Sequence, residues 1–278
     1  MLKKIIDLVL YSNFYIAFCA VAMTLQTQLL LFGKVEYTPV IGLIFFATLM
    51  VYAVHRIVGL FRLTDFIEEG RYYIINKFKS HIWIYASVGL IGSFYCFFQL
   101  QRIAQLSLVI PAFLSLGYIF PVFGKKNLRL RDFNGVKIFL VAIVWAYVTV
   151  ILPTLEGDAL GMATVLMFLE RALFVFAITL PFDIRDLKVD AYNEVKTIPA
   201  TIGMKRTQGL AIILLGLMLF IAFFLYQWII ILGLFLSVLL TAFLIKISPK
   251  QTEDYFFTGL MDGMMIIQPL LVFLVSSF

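Results

Sequence analysis

The sequence predicts an all-α, polytopic membrane protein, and three observations carry that prediction. The 278 residues are 63% hydrophobic and 14% charged, whereas soluble domains are nearer half apolar and a quarter charged. The mean hydropathy is +1.02. The apolar runs are about 20 residues long, as a spanning helix requires, and far longer than the strands of a membrane barrel. We expect nine spans, over roughly 6–32, 38–60, 82–98, 104–121, 137–153, 160–181, 208–226, 228–246 and 256–277. A break near Tyr226-Gln227-Trp228 separates the seventh from the eighth. No Gly/Pro-rich linker or low-complexity tract divides the chain, so one membrane domain over 1–278 is expected.

Charge sets the orientation. The opening Met1-Leu2-Lys3-Lys4 resembles the start of a signal peptide, but its apolar run reaches Phe32, which favours an uncleaved first helix. With a cytoplasmic N-terminus, 19 of the 22 basic residues fall on the cytoplasmic side; Lys34 and Arg102 lie outside and Arg171 lies within the membrane. That is the positive-inside pattern, and nine spans then put the C-terminus outside. The net charge of +6 therefore needs no nucleic-acid partner. A bacterial inner (plasma) membrane is the expected location. The polar segments 61–81, 122–136 and 182–207 would form a cytoplasmic cap. Two of them come after the second and sixth spans, which suggests two four-helix halves with a ninth helix added. Cys19 and Cys96 sit inside apolar runs without CxxC spacing, so neither a disulfide nor a thiolate metal site is indicated. His55 and His81 are too few for a His-ligated metal.

The stretch from Leu180 to Gly203 holds the densest arguable chemistry. On a helix turning about 100° per residue, Asp183, Asp186, Asp190 and Glu194 share about 80° of arc, while Arg185 and Lys188 point elsewhere. None of these acids has a base three or four residues away, and like-charge neighbours at that spacing cost a helix about 0.2–0.5 kcal/mol each. The face thus awaits neutralisation from outside the helix. A hard divalent cation such as Mg²⁺ suits it; so do basic residues from another segment, or solvent. Glu170 and Arg171 fall near the middle of the sixth span. Adjacent residues point about 100° apart, so they are not a facing pair. Intramembrane charges usually face an internal cavity, which leaves Arg171 as either an anion ligand or a structural group. Asp262 invites the same two readings, and Gln268 reads as a helix–helix hydrogen bond.

The run Pro181-Phe-Asp-Ile-Arg-Asp-Leu-Lys-Val-Asp190, followed by Lys196-Thr-Ile-Pro199 and Gly203, resembles the second aspartate-rich motif of the UbiA-type intramembrane prenyltransferases. Tyr118 with Lys125 and Lys126 is similar to a Tyr…Lys element after the fourth span of that family, and Arg131-Asp132 through Lys137 to Trp145 fits more loosely. The resemblance implies an isoprenyl diphosphate and a lipophilic acceptor as partners within membrane lipid. It implies Mg²⁺ on Asp183, Asp186 and Asp190, and transfer of an allylic group. His55, Arg56, Lys125, Lys137 and Lys196 become candidates for stabilising the leaving diphosphate, and Tyr118, Lys126 and Arg171 for binding substrate.

One departure stands beside the match. The family's first motif carries Asn and Asp after the second span. Here the run is Val51-Tyr52-Ala-Val-His55-Arg56-Ile-Val-Gly59, in which valine cannot bind a metal and imidazole is a poor Mg²⁺ ligand. The nearby acids Asp65, Glu68 and Glu69 do not obviously substitute: on a helix, Arg62/Asp65 and Glu68/Arg71 would be compensating surface pairs. Two readings compete. In a divergent enzyme, His55, protonated beside Arg56, replaces part of the missing metal charge. In a non-catalytic lipid-binding or assembly protein, the fold outlives the chemistry. A secondary transporter ranks last, because no broken helix pairs occupy matching positions.

Overall fold

The computed structural model describes residues 6, 9–10, 12–62, 70–77, 79–121, 128–192, 194–251 and 253–277. Among them the chain is helical. The long elements are α1 (Phe14–Phe32), α2 (Pro39–Arg62), α4 (Lys79–Phe97), α5 (Arg102–Ile119), α6 (Val136–Glu156), α7 (Met162–Arg185), α10 (Met204–Leu225), α11 (Trp228–Lys250) and α12 (Phe256–Ser276). Short helices α3 (Gly70–Lys77), α8 (Leu187–Tyr192) and α9 (Ile198–Ile202) connect them. Eight of these helices are long and apolar enough to cross a membrane; α4, where the third span was expected, is not among the eight. It opens on Lys79-Ser80-His81, yet it turns Trp83, Ile84, Leu90, Ile91, Phe94 and Tyr95 outward.

Helix ends reflect local chemistry. α1 starts at Phe14, later than the apolar run, because Asn13 adopts a left-handed conformation (φ 69°). It stops at Gly33 (φ 67°), whose N–H donates to the Leu29 carbonyl as a glycine stop does. The expected break between the seventh and eighth spans is present: Tyr226 and Gln227 are extended between α10 and α11.

The helices close into a ring. α2 packs on α1, α1 on α12, α12 on α11, α11 on α10, α10 on α7, α7 on α6, α6 on α5, and α5 returns to α2. α4 lies outside the ring along α2. A Cβ on Gly89 would stand 2.7 Å from the Phe46 carbonyl oxygen and 2.8 Å from the Met50 nitrogen, so α4 and α2 approach backbone to backbone, as small residues permit in membranes.

Arg171 organises the middle of the ring, about three helical turns from Asp183. It is fully buried and its guanidinium donates to the Met23 carbonyl (2.8 Å), Thr149 Oγ1 (3.2 Å), Gln26 Oε1 (3.4 Å) and Thr27 Oγ1 (3.4 Å). α1, α6 and α7 are thereby tied at one point. Glu170 does not pair with it; both Glu170 carboxylate oxygens are buried without a hydrogen-bond partner. α6 widens to a π turn at Tyr147–Ile151 beside this junction.

Both the close helix contact and the buried arginine can be tested by substitution. Gly89→Val forces α4 from α2 and should lower stability by about 1–3 kcal/mol, the usual cost of overpacking, read as a lower melting temperature in detergent. Arg171→Met strands four acceptors and should cost about 3–5 kcal/mol; a variant as stable as the parent would remove Arg171 from this structural role.

Candidate functional site

The aspartate-rich stretch does not form one helix. α7 ends at Arg185, Asp186 caps it (φ −87°, ψ 6°), and α8 begins at Leu187. The Asp186 N–H donates to the Phe182 carbonyl and the Asp190 N–H to the Asp186 carbonyl, both at 2.9 Å, so Asp183, Asp186 and Asp190 stay on one side. Glu194 does not join them. It lies past the end of α8 at φ 57°, exposed.

The three aspartates line a cavity of about 260 Å³ at this end of the ring. Of the other sequence-derived candidates, His55, Arg56, Tyr118 and Lys137 line it too. Lys125 and Lys126 lie outside the described residues. Arg171 lies near the middle of α7, away from the cavity, and Lys196 is exposed and not among the lining residues. Lys196 acts through its backbone instead: its N–H donates to Asn134 Oδ1 (2.7 Å) and its carbonyl accepts from the Gly135 N–H (3.1 Å). These bonds tie the entry of α6 to the segment after α8.

The acidic face finds its counter-charge inside the protein. Lys137 Nζ lies 2.9 Å from Asp183 Oδ1 and 3.0 Å from Asp190 Oδ2. Arg185 grips Asp186 with Nε (2.8 Å) and its second terminal nitrogen (3.2 Å), and reaches Asp254 Oδ1 at 2.6 Å. Its guanidinium lies 5.0 Å from the ring centres of Phe182 and Phe257. The helical-wheel expectation that Arg185 points away from the acids is thus corrected. The helix ends there, and the turn at Asp186 brings adjacent side chains together.

The opposite wall is built by α2, the end of α5 and the 3₁₀ turn Leu130–Asp132. Arg131 Nη1 donates to His55 Nε2 at 2.8 Å, and its guanidinium lies 4.9 Å from the Tyr118 ring centre. Arginine has no acceptor, so Nε2 must be one, and imidazole offers that only when neutral. The expected protonated His55 is therefore replaced by a neutral ring, with Arg131 carrying the charge. Burial opposes that charge, but Tyr118 and then Asp190, Asp186 and Asp132 outweigh it, so Arg131 titrates above the ordinary arginine value. Arg129 clamps Asp132 through two nitrogens at 2.7–3.1 Å. Burial pushes the Asp132 carboxyl up, and the Arg129 hydrogen bonds more than offset this, leaving it below the usual value.

Several lining residues escaped the sequence reading: Arg129, Arg131, Arg185, Thr179, Thr258 and Asp254. Asp262 also lines the cavity. It comes directly after a π turn at Phe256–Met261; a π turn inserts a residue and re-aims the side chains beyond it. No described residue hydrogen-bonds its carboxylate.

A second, apolar pocket of about 110 Å³ adjoins the first. It is lined by Val51, Leu114, Ile119, Leu140, Val144 and Trp145, and shares Tyr52, His55, Tyr118 and Val141 with the polar cavity. The Trp145 indole N–H donates to the Tyr52 hydroxyl at 3.2 Å, so the shared wall is braced.

These residues do not fit a metal platform built on two acidic motifs. Val51, Tyr52, His55 and Gly59 stand on one side. On the other, the carboxylates hold Lys137 and Arg185. Among the described residues, no three of His, Cys, Asp and Glu are grouped to hold an ion.

No family model matches the chain, and no curated protein matches its sequence. Solved structures do. A UbiA homologue from Archaeoglobus fulgidus bound to GPP and Mg²⁺ superposes with a TM-score of 0.65 at 12% identity, over 97% of this chain and 100% of that one. A structure of digeranylgeranylglyceryl phosphate synthase gives 0.61 at 14%, over 99% of each chain. The apo UbiA homologue from Aeropyrum pernix K1 gives 0.60 at 14%, over 98% of each. From end to end, the chain has the fold of the UbiA prenyltransferase homologues, with a sequence that has diverged far from theirs.

Proposed function

We propose that the protein binds an isoprenyl diphosphate at this site and transfers the prenyl group to a lipophilic acceptor. The proposal includes one membrane domain over 1–278 with the site on the cytoplasmic side of a bacterial inner membrane, as the basic-residue bias suggests. The observation that carries it is Arg131. It is a cavity-lining guanidinium with no carboxylate bonded to it among the described residues; its polar partner is a neutral imidazole. A diphosphate oxygen is a stronger acceptor than His55 Nε2 for the same donor. The adjoining apolar pocket gives the prenyl tail a place on the other side of the shared wall. An anionic head and an apolar tail thus have neighbouring berths. Homologues of the same fold hold GPP or DMAPP with Mg²⁺, which supports this ligand class.

The residues have definable tasks. Arg131 and Arg56 lie where charge develops as the allylic C–O bond breaks and its electron pair leaves with the diphosphate. The Tyr52 and Tyr118 rings face the emerging cation. Apolar walls restrict the water that would otherwise capture it. As the acceptor bonds to the allylic carbon it must lose a proton, and the Asp262 carboxylate, unpartnered among the described residues, takes it. Lys125 and Lys126 remain candidates for the diphosphate from their place in the sequence.

The second reading, a non-catalytic lipid-binding or assembly protein, is favoured by the missing first acidic motif. Product separates the two: purified protein with radiolabelled prenyl diphosphates and candidate acceptors should yield a prenylated lipid, and binding without turnover would favour the second reading. Arg131→Gln should weaken binding of geranyl diphosphate about ten- to hundredfold, the worth of a charged hydrogen bond; wild-type affinity in that variant would sink the head-group assignment. Asp262→Asn should slow transfer about 10²–10⁴-fold with geranyl diphosphate affinity unchanged. Unimpaired turnover would dismiss Asp262 as the base.

A further inference from the structure

The aspartates are those that the resemblance assigns to a metal, yet the protein has filled their centre with a cation of its own. Lys137 is the second residue of α6. Gly135, at φ 73°, turns the chain into that helix, and the backbone bonds to Lys196 hold the turn in place. From there the side chain reaches across to α7 and α8, where Asp183 and Asp190 close on Nζ from two sides at 2.9 and 3.0 Å. The ammonium occupies the space between the two carboxylates.

Three features make this more than an ordinary buried ion pair. An ammonium has three donors; two go to the aspartates, and the third has no partner among the described residues of the cavity that Lys137 lines. The remaining aspartate, Asp186, is taken by Arg185, whose other edge holds Asp254. The lining also supplies cations of its own: Arg56, Arg129, Arg131, Lys137 and Arg185 line the cavity with Asp183, Asp186, Asp190, Asp254 and Asp262, and Arg129 is itself paired with Asp132. A dication added between Asp183 and Asp190 would lie within a few ångströms of a fixed positive charge, where like charges repel strongly in a site shielded from water.

We propose that Lys137, seated between Asp183 and Asp190, is a built-in cation that takes the place of the divalent metal, so that this protein binds a prenyl diphosphate without one. Asp183 and Asp190 then act as positioning residues. They hold the ammonium with its free N–H toward the diphosphate, and Arg131 meets the same anion from the opposite wall. This rests on the prenyl diphosphate reading given above and goes beyond it.

The test uses the full chain in lipid nanodiscs, with geranyl diphosphate as one probe and Mn²⁺ alone, monitored by electron paramagnetic resonance, as the other. The wild type should bind geranyl diphosphate in EDTA with an affinity within about twofold of that in Mg²⁺, and should hold no Mn²⁺. Lys137→Gln frees the two carboxylates. It should lose at least about tenfold in affinity in EDTA, recover it on adding Mg²⁺, and gain a bound Mn²⁺. Lys137→Arg should keep metal-independent binding. Wild-type binding that weakens about tenfold or more in EDTA, or a wild type that holds Mn²⁺, overturns the role of Lys137 and leaves the prenyl diphosphate reading standing. A wild type that binds geranyl diphosphate under neither condition overturns both. The wild-type measurements decide the matter even if Lys137→Gln does not fold.

Discussion

The contact between Lys137 and the two aspartates constrains everything around it. A buried ammonium and two buried carboxylates are each costly to take from water, and breaking such a group by removing one member typically costs about 3–5 kcal/mol. The three side chains come from α6, α7 and α8, so the relative placement of those helices is held by a charge requirement as well as by packing. The backbone ties between 134–135 and Lys196 serve the same end, because they set the first turn of α6. The polar end of the ring is therefore largely neutralised internally and pre-shaped, with Arg131 and Asp262 left without an ion-pair partner among the described residues.

The middle of the ring solves a similar problem differently. Arg171 is also buried, but it is surrounded by the Met23 carbonyl, hydroxyls and an amide rather than carboxylates. Many neutral acceptors can stabilise a guanidinium because its donors fan out in a plane. That arrangement fixes α1, α6 and α7 against one another. The two junctions flank a core that includes Phe174, Ile178, Leu180 and Met264. An arginine junction at mid-ring and a charged junction at the cavity, sharing α6 and α7, would keep the cavity walls from drifting, which an electrostatic site requires.

Tyr52 and His55 stand in the run that the resemblance sets beside the first acidic motif, and both are engaged within the protein. Tyr52 accepts from Trp145, and His55 accepts from Arg131. Both side chains also form the wall between polar cavity and apolar pocket. A neutral ring and a phenol at these positions bring no negative charge that would need a cation. The lysine on α6 then settles the charge that remains.

The helical membrane architecture was legible in the residues, because a spanning helix leaves a long apolar run that no other structure requires. The three aspartates and His55, Arg56, Tyr118 and Lys137 could also be picked out, since acids at helical spacing and a family-like motif are visible in one dimension. Arg131 and Arg185 were not assigned roles, since nothing in their local spacing shows what they face. Arg185 is paired correctly only once α7 is known to stop at that residue, and Arg131 only once α2 and the turn before α6 meet. Arg171 stood open between an anion ligand and a structural group, and the surrounding Met23, Gln26, Thr27 and Thr149 supply the contacts of a strut. By itself, the sequence determined the helical membrane class and that Asp183, Asp186 and Asp190 share a side, because both depend on periodicity along the chain; Glu194 fell away because α8 ends before it. The tertiary structure alone decided what neutralises those carboxylates, because Lys137 lies 46 and 53 residues from Asp183 and Asp190 and reaches them only through the packing of α6 against α7.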